Sequence, residues 1–132
     1  MLRGVCLGLI SVALLACSDT PTVQPGDVER GRALFNQPVQ GDRGEVQACA
    51  RCHALKQGER SVTGLGPSLY GLGARAGKTV PGQSAEVYLR TSIIEPDAYL
   101  AGHFQAGLMY RGYAKALTPQ QIEDLVAYML TL

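Results

Sequence analysis

The stretch QACARCHALK, residues 47–56, holds two cysteines three positions apart, with a histidine directly after the second. Three chemistries compete for such a pair. A redox dithiol wants a βαβ setting around the motif, and the flanking sequence shows none. A zinc site wants four ligands, yet beyond Cys49, Cys52 and His53 the only other histidine is the distant His103. The third is covalent haem, for which C-x-x-C-H is the attachment signature. On one helical turn Cys49 and Cys52 reach vinyl groups on neighbouring pyrroles, while His53 turns its imidazole to the iron. Haem is the preferred reading.

An iron held by His53 needs a sixth ligand, and that ligand sets the function. Met129 belongs to an i, i+3, i+4, i+7 stripe with Ile122, Leu125 and Val126, the pattern of a core residue. Met109 sits in HFQAGLMYRGY, a glycine-punctuated stretch without helical periodicity, and is the expected axial ligand. His103 lies in the same stretch. It reads as a surface residue, with bis-histidine ligation as the alternative.

The remaining composition suits a small domain built round a cofactor. The chain has 132 residues, 46% apolar and 17% charged, with 16 glycines and no tryptophan. That is one domain, with enough apolar residues for a core but little margin at this size. The formal charge is +1 at pH 7, without a basic run or aromatic–basic interleaving. Nucleic-acid binding has no support.

The first residues read as a targeting segment. Arg3 supplies the positive end, and Val5 to Leu15 an apolar run too short to span a bilayer comfortably. The run ends in LLAC, which resembles the lipobox of bacterial lipoproteins. The resemblance implies a signal peptide over residues 1–16 and a lipid on Cys17. Residues 17–26, CSDTPTVQPG, then read as the lipidated N-terminus and a flexible tether. With Cys6 removed and Cys17 acylated, only Cys49 and Cys52 are left, on the exported side of a membrane. Without Arg3 the mature chain has eleven basic and eleven acidic residues.

From Asp27 to Leu132 the chain resembles the bacterial class I cytochromes c, and the order of its parts agrees with theirs. GDVERGRALFN looks like the N-terminal helix, with Gly31 and Phe35 where a small residue and an aromatic recur. CARCH follows, then GLGPSLYGLGAR, similar to the loop on the proximal side. The resemblance implies that the Pro67 carbonyl accepts a bond from His53 and that Arg75 meets a haem propionate. EVYLRTSIIEPDAY and LTPQQIEDLVAYMLTL look like the helices before and after the methionine loop, with Leu125 and Tyr128 packing across Gly31 and Phe35. In place of the proline that often follows the axial methionine, this chain has Tyr110.

Local signals support the helical outline. Thr118, Pro119 and Gln121 form a capping box with proline at the first helical position. Ser84 to Ile94 reads as a helix stopped by Pro96. The glycines of GLGPSLYGLGARAG argue for loop, and NQPVQGDRGEVQA for a solvated loop. The expected fold is therefore all-α: several helices around one covalent haem c, with the terminal helices crossing, over residues 27–132.

Such a protein carries single electrons and has no small-molecule substrate. The resemblance implies redox protein partners, a quinol-oxidising complex upstream and a terminal oxidase or photosynthetic reaction centre downstream, with the chain a free carrier or a subunit. Two other classes compete. An open or weak sixth position would give a gas sensor or peroxidase-like enzyme. A disulfide or metal at Cys49–Cys52 would give a structural lipoprotein.

Overall fold

The computed structural model describes residues 22–132. The expected signal peptide and Cys17 lie outside the described residues.

Helix α1, Val28–Phe35, starts where Asp27 adopts extended backbone and its carboxylate accepts from the Arg30 N–H at 2.8 Å. Glu29 in its first turn and Arg32 in its last complement the helix dipole. At the other end of the chain α6, Pro119–Met129, begins with the expected capping box between Thr118 and Gln121. Its buried face carries Ile122, Leu125, Val126 and Met129.

These terminal helices cross at Gly31. A β-carbon there would lie 1.9 Å from the Asp124 carbonyl oxygen, so only glycine admits this approach. Phe35 meets Tyr128 edge to face, ring centroids 5.5 Å apart. Asp124, almost wholly buried, locks the crossing from one side. It accepts from the Asp27 N–H at 2.8 Å, from Arg30 at 2.7 and 2.9 Å, and from Gln120 at 3.1 Å. The Arg30 guanidinium holds its carboxyl down to about 2, well below the usual carboxylate range.

The structured body extends upstream of the expected boundary at residue 27. Gln24 N–H donates to Gln120 Oε1 at 2.7 Å, and a β-carbon on Gly26 would lie 2.1 Å from the Glu123 carbonyl oxygen. The last part of the expected tether is therefore docked on α6.

Between the terminal helices the chain departs from the sequence reading in two places. The glycine-rich stretch is not all loop, because α3 runs through it over Leu72–Thr79. Gly71, at φ +66°, turns the chain into this helix. Gly73 is there for packing: its N–H donates to Leu132 O at 2.8 Å, and a β-carbon would lie 2.1 Å from the Leu130 carbonyl oxygen. The stretch expected as a solvated loop contains a hairpin of β1, Val39–Gly41, and β2, Gly44–Val46, with Val39 paired to Val46.

Helix α2 is the single turn Cys49–Cys52. Helix α4, Ala85–Ile94, is capped by Ser84, buries Leu89 and Ile93, and packs on α3. An Arg90–Glu123 pair, at 2.7 and 2.6 Å, joins it to α6. One more turn, α5 over Tyr113–Ala116, was not signalled by the sequence; it buries Tyr113. The domain is thus mostly helical with one two-stranded sheet. Among the described residues no helix is long and apolar enough to cross a membrane.

Candidate haem site

The turn of α2 brings Cys49 and Cys52 to the same side, and His53 leaves it in extended conformation. The His53 N–H still donates to Cys49 O at 3.0 Å, which ties the histidine to the turn. The following loop folds back over the motif. Thr63 N–H donates to Arg51 O at 3.1 Å, and Leu69 N–H to Ala54 O at 2.9 Å. These bonds deliver the Pro67 carbonyl to within 2.9 Å of His53 Nδ1.

A carbonyl only accepts, so Nδ1 carries the proton in this contact and Nε2 keeps its lone pair for a metal. Burial lowers the His53 pKa, with the Pro67 bond acting in the opposite sense. The ring is therefore neutral and oriented, as a ligand must be. Gly66 makes room beside it: a β-carbon would lie 2.7 Å from His53 Cε1.

Cys49, Cys52, His53 and Met109 all line one cavity of about 390 Å³. Phe35, Leu69, Leu72, Leu89, Ile93 and Leu125 supply much of its apolar wall. Val46 of the hairpin, Tyr113 of α5 and Met129 of α6 also reach it. The cysteines form no disulfide. Burial is the main cause that pushes the Cys49 thiol up to about 11, which disfavours the thiolate a redox dithiol needs. Two unbridged thiols, a neutral imidazole with Nε2 free and an apolar wall fit a c-type haem.

Met109 is half-buried, in a segment of turns that begins after α4. Asp97 and Asp42 hold this segment. Asp97 accepts from the Gly107 N–H at 2.8 Å and from Arg111 Nε. Asp42, at the hairpin tip, accepts from the Tyr110 hydroxyl at 2.7 Å. The Tyr110 bond is also the first cause of a lowered Asp42 pKa.

Of the other expected residues, His103 and Arg75 lie off the cavity wall, while Met129 is part of it. His103 is exposed and stacks on Phe104, centroids 4.6 Å apart; it is not part of the cavity wall. Met129 is both core and cavity wall, 8% exposed among the apolar residues of α6. Arg75 is off the cavity wall and donates to the carbonyls of Tyr70 and Ser68, the latter at 2.9 Å, bracing the loop that carries Pro67. Gly66, Asp97 and Asp42 were missed. Gly66 had a signal in its place directly before Pro67; Asp97 and Asp42 act only through contacts across the fold.

The family model for cytochrome c matches residues 28–132, from the first residue of α1 to the chain's end. With the CARCH turn, its neutral histidine and the apolar cavity around them, the chain belongs to the cytochrome c family, haem-binding proteins of electron transfer.

Proposed function

We propose that this cytochrome c is a one-electron carrier with His53 and Met109 as axial ligands, tethered to a membrane by lipid on Cys17. The observation that carries the reading is the shared cavity: the histidine of the attachment motif and a methionine from a remote turn segment line the same apolar space. When bound, the haem supplies one-electron cycling between ferric and ferrous iron.

The chain's residues do the rest. Cys49 and Cys52 supply the sulfurs for attachment. Pro67 fixes the His53 ring, and such an outer bond also tunes a ligand's basicity. The apolar wall excludes water, and the Met109 thioether favours the reduced state. With His53 and Met109 both held to the iron, a small molecule would find no open iron position.

Near-neutral charge in the mature chain makes long-range steering towards partners modest. Leu65, Leu100 and Leu108 line the cavity and remain about half exposed, which supports short-range apolar docking. A membrane tether raises the local concentration of partners held on the same surface. A quinol-oxidising complex as donor and a terminal oxidase or photosynthetic reaction centre as acceptor suit this arrangement, with the protein a free carrier or a subunit.

The test is an absorption spectrum of exported, matured protein in both oxidation states. The expected ferric spectrum has the weak far-red methionine–iron band, lost in Met109→Ala. Covalent haem without that band in the unaltered protein would refute Met109 ligation. For the anchor, Cys17→Ser is expected to move the protein from the membrane fraction to the soluble one; unchanged fractionation would refute it.

A further inference from the structure

Residues 101–112 contain no helix or strand, so the position of Met109 depends on what holds its neighbours. On one side the holder is Asp97, just beyond α4. On the other it is the hairpin. The register pairs Val39 with Val46, Gln40 with Glu45 and Gly41 with Gly44, which leaves Asp42 and Arg43 at the tip. There the Tyr110 hydroxyl donates to Asp42 Oδ1 at 2.7 Å and accepts from the Asp42 N–H at 3.2 Å.

The seat of this hydroxyl is close-fitting. A β-carbon on Gly112 would lie 2.1 Å from the Tyr110 oxygen, and one on Gly41 would lie 2.8 Å away. The Tyr110 ring also stands edge to face on Tyr113, centroids 5.2 Å apart, and Tyr113 is part of the cavity wall. The hairpin is rooted in the same wall through Val46. Strap and methionine segment are thus joined at the tip and both meet the cavity.

We propose that the Asp42–Tyr110 pair latches the hairpin to the Met109 segment and keeps Met109 at the cavity, so that Asp42 and Tyr110 are positioning residues for the axial ligand. The inference rests on the reading of Met109 as that ligand. A latch of this kind resists displacement of Met109 by a competing ligand. Breaking it raises the population of the displaced segment without altering the cavity's other walls.

The test is an imidazole titration of the ferric holoprotein, followed by loss of the far-red band. Tyr110→Phe and Asp42→Ala are each expected to tighten apparent imidazole binding about fivefold, the order expected from one hydrogen bond to a charged acceptor that is open to water. The double variant should match Tyr110→Phe, because that change removes both the carboxylate bond and the bond from the Asp42 N–H, while Asp42→Ala removes only the first. Glu45→Ala, on the same hairpin, should leave binding unchanged. Wild-type affinity in both single variants would overturn the latch, and so would a double variant whose effects add. If the unaltered protein has no far-red band, Met109 ligation and the latch fail together. A band that is present, with imidazole affinity unchanged in both variants, overturns the latch alone.

Discussion

A β-carbon on Gly66 would lie 2.7 Å from His53 Cε1 and 2.8 Å from the Cys52 carbonyl oxygen. The imidazole therefore owes its position to an absence of side chain on one flank as much as to the Pro67 bond on the other. Gly66→Ala is expected to cost about 1–3 kcal/mol of stability and to shift the reduction potential by tilting the ring. Gly77→Ala is the comparison. From its place on α3 its β-carbon would meet Ala85 of α4 at 3.5 Å, an ordinary contact, and the change should be neutral or stabilising. Thermal melts and potentiometry of the two variants test the contrast.

The helix crossing offers a harsher substitution. At Gly31 the obstructing atom is a backbone carbonyl oxygen 1.9 Å away, which cannot rotate aside. Gly31→Ala is expected to destabilise by about 3 kcal/mol. Thr118→Ala, which removes one cap from α6, should cost only about 1 kcal/mol. Denaturant unfolding of both variants would show this order, and equal costs would refute the packing argument.

Acid should find Asp124. Its carboxyl is lowered to about 2 by the Arg30 bonds, so the folded state holds the charged form more strongly than the unfolded chain does. The stability from this group is complete above the ordinary carboxylate range and lost as pH falls from about 4 through 2. Its size is about 2 kcal/mol. Asp124→Asn should be less stable at neutral pH and show a flatter decline over that interval, measured by urea unfolding at a series of pH values.

His103→Ala separates the two candidate ligands of the turn segment. The ring is exposed and stacked on Phe104, outside the cavity wall. The expected result is an unchanged spectrum in both oxidation states. A shifted spectrum would show that His103 reaches the iron.

What the sequence revealed was local chemistry. The CARCH turn and the Thr118–Gln121 box each act within a few residues, so spacing exposes them. Gly31 was placed through resemblance to the family's first helix. Helix α3 was hidden because glycine has two uses. Gly71 does need a left-handed backbone, but Gly73 is helical and gives up its side chain to the Leu130 carbonyl. Composition does not distinguish these cases. The hairpin was missed since its strands are three residues each and its outer face is polar. Asp42 meets Tyr110 across 68 positions and Gln24 meets Gln120 across 96, and no window along the chain registers such pairs.

The Gln24–Gln120 and Asp27–Asp124 bonds also settle how mechanical load enters the molecule. A pull from upstream is taken first by α6, before it reaches the body of α1. Along α6 the residues that receive it, Gln120 and Asp124, bond to the segment ahead of α1, while Leu125 and Met129 reach the cavity. Drag on the leading segment is thus shared with the crossing of two helices, and the turn segment around Met109 lies outside that path.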